Sequence, residues 1–322
     1  MSEYIKSQDM PEYDISVVVP VFNETPLILE LYTRLTKAVQ SVSGNYELLF
    51  INDGSNDDTL SIIKEISEKD NRVHYLSFSR NFGHQIAVSA GLNHCAGNAV
   101  IIIDADLQDP PELIKDLYLK MKEGYDVVYA KRRSRQGESF MKKLTAKLFY
   151  RILSTITSIH IPLDTGDFRI ISRKVVNVLN KMPEQHKFLR GQISWVGFKQ
   201  TYVEYDRAER IAGETGYTYR KMIRFALDGI TSFSNFPLKF ATVTGFIFSI
   251  ISFFLMLYTL YSRFISRVYQ PGWASLMITI LFIGGIQLIG IGIIGEYISR
   301  LSDNVRNRPL YIINEKNVAE AE

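Results

Sequence analysis

The sequence predicts an α/β protein with a mostly parallel sheet, followed by a two-helix transmembrane hairpin. Strand-like and helix-like segments alternate over residues 15–130 at the spacing of βαβ units. Two spans without a charged residue follow, 240–262 and 273–295, each 23 residues long. A bilayer core needs about 20 apolar residues of helix, so both spans are long enough to cross one. A pair of buried core helices is the alternative interpretation.

Five strands are predicted from short apolar or β-branched runs, which are Ile15–Val19, Glu47–Ile51, Val73–Phe78, Ala99–Ile103 and Asp126–Ala130. Four helices are predicted between them from apolar residues at helical spacing and from terminal Gly, Asn or Pro signals, over 26–42, 59–67, 85–95 and 110–121. In such sheets ligands bind beyond the carboxyl ends of the strands. The loops that follow the strands are therefore where chemistry is expected.

The composition excludes several classes of protein. With 46% hydrophobic and 22% charged residues, the 322-residue chain is not a disordered or low-complexity sequence. A net charge of +3 is too small for a typical nucleic-acid binder. The single cysteine, Cys95, excludes an intramolecular disulfide framework and a cysteine-based zinc site. Four histidines show no metal-ligand spacing and are expected to be structural, namely His84, His94, His160 and His186.

A pair of aspartates follows the fourth predicted strand. Asp104 and Asp106 stand at positions i and i+2, where their carboxylates can converge on one hard cation, and Gln108 adds a neutral oxygen. Mg²⁺ and Mn²⁺ prefer such ligands and retain sites for substrate phosphates. The sequence therefore predicts a divalent metal site here, and Asp109 is interpreted as the N-cap of the helix that starts at Pro110.

The loop NDGSNDD after the second strand has two interpretations. Asp53 can accept hydrogen bonds from a nucleobase or a ribose, and this interpretation is favoured. Asx-turn chemistry is the alternative. For Asp57 and Asp58, capping of the next helix is the favoured interpretation.

Residues 131–151 carry eight basic side chains and one acidic side chain. Apolar residues interleave at helical spacing, which predicts an amphipathic helix on an anionic membrane surface. A solvated charged face is the alternative, and nucleic acid is not expected as a partner because no aromatic stacking platform is evident. Cations beside an apolar surface suit a lipid phosphate.

The charges around the apolar spans predict their orientation. Seven basic residues flank the outer ends of the hairpin, and two lie in its connection. The positive-inside rule then places both termini in the cytoplasm. Residues 1–14 are polar, so no signal peptide is expected and residues 1–232 are predicted to be cytosolic.

Five segments in this order resemble one family: VVVPVFNE, INDGSNDDT, SRNFGHQIAVSAGL, IIDADLQDPPE and TGDFRIIS. With the hairpin they resemble the polyprenyl-phosphate glycosyltransferases, inverting enzymes of glycosyltransferase family 2. The bacterial undecaprenyl-phosphate glucosyltransferase subgroup is the more similar, and dolichyl-phosphate mannose synthases are similar too. The resemblance implies a GT-A (Rossmann-like) domain over 1–206, a loop and interfacial helix over 207–239, two transmembrane helices over 240–299 and a cytosolic tail over 300–322.

The resemblance also implies roles for single residues. Nucleotide-sugar binding falls to Pro20, Phe22, Glu24, Asp53, Asp104, Arg207 and Arg210. The metal and diphosphate positions are Asp104, Asp106 and Gln108. The acceptor phosphate would be held by Arg132, Lys143 and Lys147. The catalytic positions are Asp167, Asp106 and Asp164.

Two positions depart from the family pattern. Phe22 stands where the family often has tyrosine, which keeps an aromatic face and loses a hydroxyl. Gly216 stands where many relatives have a basic residue, which leaves Arg207 and Arg210 as the candidate cations of that loop.

The family position for the catalytic base is Asp167, and Asp164 is close enough in sequence to compete. A phosphate monoester has a second pKa near 6 and is already largely a dianion at neutral pH, so it can attack without a strong base. Base catalysis and the positioning of a sugar hydroxyl or an arginine therefore both remain open for Asp167.

The implied reaction is the inverting transfer of a hexose to undecaprenyl phosphate, with Mg²⁺ or Mn²⁺ as the cofactor. Glucose from UDP-glucose is the favoured sugar. The implied setting is the inner membrane, with a homotetramer as the assembly. Mannose, an N-acetylhexosamine or an aminoarabinose derivative is the alternative sugar. A processive polysaccharide synthase would need more transmembrane helices and a Q-x-x-R-W motif, which the sequence lacks. A non-catalytic membrane scaffold is disfavoured by the intact D-x-D-x-Q set.

Overall fold

The computed structural model describes residues 13–133, 165–206, 234, 236–261, 265 and 272–318. All five predicted strands form, with slightly shifted ends: β1 (Tyr13–Val21), β2 (Tyr46–Asn52), β3 (Val73–Phe78), β4 (Gly97–Ile102) and β5 (Val127–Arg132). Strand β1 pairs in parallel with β2 and β4, and β2 pairs in parallel with β3. The carboxyl ends of these four strands therefore meet at one edge of the sheet.

The four predicted helices also form: α1 (Ile28–Gln40), α2 (Thr59–Lys69), α3 (His84–His94) and α4 (Ile114–Lys122). A single 3₁₀ turn, Pro111–Leu113, precedes α4, and its prolines supply the preset φ of a helical first turn. Helix α1 buries the stripe of apolar residues that its spacing predicts: Ile28, Leu31, Leu35, Ala38 and Val39.

Further elements complete the domain: β6 (Thr165–Ser172), α5 (Arg173–Asn180), α6 (Leu189–Trp195), β7 (Gln200–Tyr205) and β8 (Ile313–Lys316). The strand order is β7-β5-β6-β4-β1-β2-β3-β8. Strand β6 lies antiparallel between β4 and β5, β7 is parallel to β5, and β8 is antiparallel to β3. The prediction of a mostly parallel sheet is confirmed, but β5 reaches it through an antiparallel neighbour that the sequence analysis did not predict.

Alternate residues of the central strands point into two apolar layers. Val17 and Phe50 pack in the layer on the side of α1 and α4, whereas Val18 and Leu49 pack in the layer on the side of α3 and α5. Residues on both faces are fully buried, as expected for a parallel sheet covered by helices on each side. This rigid double-layered core holds the loops at the sheet edge.

Two long apolar helices follow, α7 (Phe236–Tyr261) and α8 (Trp273–Arg306). Both are long and apolar enough to cross a membrane, with mean hydropathies of 1.9 over Phe236–Leu255 and 1.5 over Phe282–Arg306, and neither window is buried within the protein. Helix α8 continues beyond the predicted span into polar turns that carry charged residues. Arg300 Nε lies 2.9 Å from Glu296 Oε1 there.

The end of α8 contacts the first domain. The ring nitrogen Nε2 of His186 lies 3.1 Å from Asp303 Oδ2, and the backbone N–H of Gln185 donates to Asn304 Oδ1 at 3.0 Å. Asn307 ends the helix in the left-handed region, at φ 45°.

From that point the chain returns to the sheet. Strand β8 pairs with β3, Lys64 Nζ lies 2.6 Å from Glu315 Oε2, and the rings of Tyr311 and Phe78 stack at 5.0 Å between centroids. The segments before and after the hairpin therefore belong to one folded domain, a return that the sequence analysis did not predict.

Candidate active site

The loops after β1 and β2 are tied to each other at the carboxyl edge of the sheet. The backbone N–H of Asn23 donates to Ser55 Oγ at 3.0 Å, and the backbone N–H of Asn56 donates to Asn23 Oδ1 at 2.9 Å. Asn23 takes a positive φ of 57°, which asparagine tolerates better than most residues. These bonds give the candidate nucleotide-binding loops a fixed shape.

Asp57 has the structural role predicted for it. Its Oδ1 accepts the backbone N–H of Thr59 at 3.1 Å at the start of α2, and its Oδ2 accepts the Thr25 hydroxyl at 2.6 Å. Although partial burial opposes ionisation, these hydrogen bonds lower the pKa of Asp57 below its usual value.

The carboxylate of Asp53 is buried against the loop after β3. It accepts the backbone N–H groups of Phe82 at 2.7 Å and Gly83 at 3.0 Å. Burial raises the pKa of Asp53, and these two N–H donors oppose the rise. The neighbouring Gly54, at φ 71°, leaves no space for a side chain, since a Cβ would lie 2.5 Å from the carbonyl carbon of Arg80. Asp53 thus fixes the loop, and a carboxylate has further lone pairs for a ligand.

Three other predicted nucleotide-binding residues, Pro20, Phe22 and Glu24, lie at the same edge. Pro20 is near the end of β1, and the Phe22 ring beyond it is 41% exposed. Glu24 donates its backbone N–H to Thr59 Oγ1 at 2.9 Å. An exposed aromatic face at this position is suited to stacking on a planar ring.

The loop after β4 carries the two predicted metal-binding aspartates in a constrained turn. Leu107 adopts a positive φ of 54° and is almost completely buried, so its side chain anchors the loop in the core. The carboxylate of Asp106 accepts the backbone N–H of Gln108 at 3.2 Å. A non-glycine residue at such a φ costs conformational free energy. Its presence therefore marks a turn that the surrounding structure enforces.

Asp104 lies with His84 and Asp167 in a group that we call the Asp104 cluster. His84 Nε2 is 3.5 Å from Asp104 Oδ1 and 3.3 Å from Asp167 Oδ2. Their potential ligand atoms all lie within 4.8 Å of one another. A structural role was expected for His84; the structure places it at the start of α3 at the sheet edge, in contact with two carboxylates.

The charges within this cluster are strongly coupled. Burial raises the pKa of Asp104 to about 6; the charge of His84 opposes this rise, and the nearby carboxylates of Asp167, Asp109 and Asp106 add to it. Desolvation opposes the charging of His84, but the two carboxylates outweigh it and raise its pKa to about 9. Within the described part of the chain, Asp104 Oδ1 is buried and accepts no hydrogen bond. The two carboxylates and the imidazole of this cluster are groups that can bind a divalent cation.

Two arginines hold Asp167 in this cluster. Its Oδ1 accepts Arg190 Nε at 2.8 Å and Arg169 Nη2 at 3.0 Å, and Arg169 is almost completely buried. Burial works against ionisation, but Arg190, His84 and Arg169 together hold the pKa of Asp167 well below its usual range. The side chain is therefore a fixed carboxylate.

A second group, which we call the Arg132 cluster, consists of Arg132, Tyr205 and Asp109. Arg132 Nε donates to the Tyr205 hydroxyl oxygen at 3.2 Å, and that hydroxyl donates to the Asp109 carboxylate. Arg132 Nη2 lies 3.5 Å from Asp109 Oδ1. The N-cap of the 3₁₀ turn is Pro110, so Asp109 serves this cluster in place of its predicted capping role.

Sequence reasoning missed His84, Arg169, Arg190 and Tyr205. His84 directly follows the loop of the third strand, so its place at the sheet edge was a usable signal. No local pattern marks Arg190 or Tyr205, because they reach the site only through long-range packing. Other predicted site residues lie outside the described residues: Lys143, Lys147, Asp164, Arg207 and Arg210. The predicted amphipathic helix over 131–151 lies there only from residue 134 onward; its first two residues, Lys131 and Arg132, belong to strand β5, so the predicted start was wrong.

Comparisons with known proteins show the family of the chain. The family model described as "Glycosyl transferase family 2" matches residues 16–179, and one described as "GtrB C-terminal hairpin" matches residues 236–301. The chain is 51% identical over 300 residues to the glycosyltransferase YkcC of Bacillus subtilis (strain 168), covering 93% of each chain.

Two further relatives carry more specific names. The chain is 45% identical to the "Prophage bactoprenol glucosyl transferase homolog" of Escherichia coli (strain K12), covering 93% of this chain and 98% of that one. It is also 45% identical to the "Bactoprenol glucosyl transferase" of Shigella phage SfV, covering 94% and 99%. Since the family model spans half the chain and these relatives span nearly all of it, the chain belongs to glycosyl transferase family 2 and is a glycosyltransferase with a GT-A fold.

Proposed function

We propose that this enzyme transfers glucose from UDP-glucose to undecaprenyl phosphate (bactoprenol phosphate) at the cytoplasmic face of the inner membrane, with inversion at the anomeric carbon. The names of the Escherichia coli and phage SfV relatives support the sugar and the acceptor. The observation that carries the proposal is the meeting of two differently charged clusters at the start of β6.

Strand β6 links these clusters through consecutive residues. Asp167 belongs to the Asp104 cluster, whereas a Cβ on Gly166 would lie only 3.0 Å from Arg132 Nη2. One side therefore offers carboxylates that suit a metal ion, which in turn can bind a diphosphate. The other side offers a guanidinium that suits a phosphate. This is the charge distribution needed by a reaction between a nucleotide sugar and a lipid phosphate.

A divalent cation, Mg²⁺ or Mn²⁺, would be held by Asp104 and Asp106, with Gln108 and the nearby His84 as further candidate ligands. The buried Asp104 Oδ1, which has no hydrogen-bond partner among the residues that the structure describes, supports this assignment. When bound, the ion neutralises negative charge on the departing diphosphate.

The remaining chemistry needs little proton transfer. An oxygen of the acceptor phosphate forms a bond to the anomeric carbon while the bond from that carbon to the diphosphate oxygen breaks. Attack from the face opposite the leaving group inverts the anomeric centre. Because the acceptor is already largely a dianion at neutral pH, it can attack without a general base.

Asp167 is then a positioning residue, the second of the two roles that the sequence left open. Its ion pairs with Arg169 and Arg190 and its low pKa make it a poor proton acceptor. Its proposed role is to orient Arg190 and His84 around the donor. Phe22, Asp53, Pro20 and Glu24 are proposed to hold the nucleotide, with the exposed Phe22 ring under the uracil.

The proposed membrane setting is supported by the hairpin and by strand β8. Since β8 joins the sheet formed before the hairpin, the chain leaves and re-enters the domain on one side of any bilayer that α7 and α8 cross. The basic residues that flank the hairpin then favour a cytoplasmic location for that side. A homotetramer is proposed from the family resemblance alone.

The function is tested with membranes that contain the enzyme and undecaprenyl phosphate, supplied in turn with radiolabelled UDP-glucose, UDP-galactose, UDP-N-acetylglucosamine and GDP-mannose. We expect lipid-linked product from UDP-glucose at the highest rate, and none with Asp106→Asn. The matched control is Asp116→Asn, which removes an exposed carboxylate on α4. A clear preference for another nucleotide sugar would replace glucose, and transfer without a lipid phosphate would contradict the acceptor.

A further inference from the structure

The register of β5 and β7 places Arg132 directly opposite Tyr205. The preceding pair, Lys131 and Glu204, faces the other side of the sheet, where an exposed ion pair of 2.9 Å joins them. Tyr205 is 5% exposed and its ring packs in the apolar layer beside α4. The strand pairing thus selects which cation of the Lys131–Arg132 pair is held by a buried partner.

The contacts of Arg132 involve one edge of its guanidinium. Nε donates to the Tyr205 hydroxyl and Nη2 lies near the Asp109 carboxylate. In a planar guanidinium these two nitrogens form the side-on edge, so the end-on edge, Nη1 and Nη2, faces away from Tyr205. End-on binding of a phosphate would therefore leave these side-on contacts in place.

The two partners of Arg132 are themselves fixed. The Asp109 side chain is only 1% exposed and accepts the hydroxyl proton of Tyr205. Gly166 of β6 passes close by, since a Cβ there would lie 3.4 Å from Asp109 Oδ2 and 3.0 Å from Arg132 Nη2. This glycine leaves the space that the guanidinium occupies, and any larger residue would push Arg132 out of position.

We propose that Tyr205 and Asp109 are positioning residues for the acceptor: they hold the Arg132 guanidinium end-on toward the phosphate of the lipid. This inference rests on the proposed function, in which Arg132 binds that phosphate. A long arginine side chain loses rotamer freedom when it binds a ligand, so fixing it beforehand improves affinity without a new ligand contact. The competing explanation is a buried hydrogen-bond network that serves folding alone.

The test compares Tyr205→Phe with Tyr202→Phe. Both variants lose one hydroxyl from β7, but Tyr202 is exposed on the opposite face of the strand. Steady-state kinetics in detergent are measured with undecaprenyl phosphate and UDP-glucose varied in turn. We expect Tyr205→Phe to raise the acceptor KM by about three- to tenfold, the size of one lost hydrogen bond, with an unchanged donor KM. Tyr202→Phe should match the parent enzyme.

A double variant separates positioning from stability. In an Arg132→Ala background, Tyr205→Phe should cause no further change in acceptor kinetics, because the group that Tyr205 positions is gone. Asp109→Asn should behave like Tyr205→Phe if it folds. Equal losses for donor and acceptor, or an additive loss in the double variant, would assign the network to folding and overturn the inference.

The same measurements distinguish this inference from the proposed function. If Arg132→Ala impairs acceptor kinetics and Tyr205→Phe does not, the positioning role is wrong and the phosphate-binding role of Arg132 stands. If Arg132→Ala leaves acceptor kinetics normal, the phosphate-binding role itself fails, and the positioning role fails with it.

Discussion

The Asp104 cluster and the Arg132 cluster lie on opposite faces of strand β6 and differ in the ligand that each can accept. The Asp104 cluster contains two carboxylates and the imidazole of His84, and one of its carboxylate oxygens is buried with no hydrogen-bond partner among the described residues. The Arg132 cluster contains one cation, one carboxylate and a neutral phenol. The first suits a cation and the second suits an anion, so a single strand separates two sites that suit opposite charges.

The difference also shows how each cluster is built. The Asp104 cluster combines side chains from α3, the loop after β4 and strand β6, so it depends on the parallel core of the sheet. The Arg132 cluster combines side chains from β5, β7 and the loop after β4, next to Gly166 of β6, so it depends mainly on the other end of the sheet. Substitutions in the two clusters should therefore affect different substrates.

The largest effect is expected from removing a carboxylate of the predicted metal site. Asp104→Asn or Asp106→Asn should lower kcat/KM by about 1,000-fold or more, because the charge of the leaving diphosphate is no longer neutralised. Excess chelator should have the same effect on the parent enzyme, and added Mg²⁺ or Mn²⁺ should reverse it. Full activity in chelator would refute the metal requirement. Circular dichroism and membrane extraction would check that each variant folds and inserts.

The next effect should be confined to the acceptor. Arg132→Ala should cost about 2–4 kcal/mol, or roughly 30- to 1,000-fold in kcat/KM for undecaprenyl phosphate. Arg132→Lys should recover part of this loss, since lysine supplies charge without the planar fork. UDP-glucose kinetics should change little. A loss of about 1 kcal/mol that shrinks in neutral detergent would indicate general attraction to anionic lipid instead.

A third change should leave both clusters intact and lower stability. Tyr311 stacks on Phe78, which in turn contacts Phe82 edge-on at 5.7 Å between ring centroids. Tyr311→Ala should destabilise the domain by about 2 kcal/mol and lower Tm by about 3–8 °C. The KM values for donor and acceptor should move equally or not at all. A selective rise in the donor KM would show instead that the stack supports the loop that Asp53 holds.

The smallest effect concerns an ion pair remote from both clusters. The hydrogen bond from Arg72 lowers the pKa of Asp70 below 3.8, and the Tyr32 hydroxyl contributes while burial opposes the shift. A carboxylate whose pKa is lower in the folded protein than in the unfolded chain stabilises the fold at pH values above its unfolded pKa. This stabilisation is lost as the pH falls through its folded pKa.

Asp70→Asn should therefore lower Tm by about 2–4 °C at neutral pH, and the difference should narrow below about pH 4. Thermal unfolding from pH 3 to pH 7 measures it, with Asp116→Asn as the exposed control. A difference that stays constant over this range would mean that the charge of Asp70 is not responsible.

The sequence predicts β1 to β5 and the four intervening helices because each carries a strong local pattern. Strands β6 and β7 carry polar residues at the site, which interrupts that pattern: Asp167 and Arg169 in β6 face the Asp104 cluster. Strand β8 has only four residues, with the sequence INEK, and no local signal distinguishes it from a loop. Its pairing with β3 comes from tertiary contacts alone.

The residues of the candidate site also divide into those that the sequence can locate and those that it cannot. Asp104, Asp106 and Arg132 follow strand ends and can be located by the rule that ligands bind at the carboxyl edge. The partners of these residues cannot be located so, since Tyr205 meets Arg132 through the register of two strands that are distant in sequence. Asp109 looked like a helix cap for the same reason: only the folded sheet brings Arg132 beside it.

Strand β8 has a consequence for how the enzyme is made. Residues 79–312 emerge from the ribosome after β3 and before β8. At roughly 5–20 residues per second, translation of that stretch, which includes both apolar helices, takes on the order of 10–50 s. Throughout this time β3 is an open sheet edge, a hazard for pairing with another nascent chain. Since the hairpin precedes β8 in the chain, the sheet is completed only after both apolar helices have been synthesised.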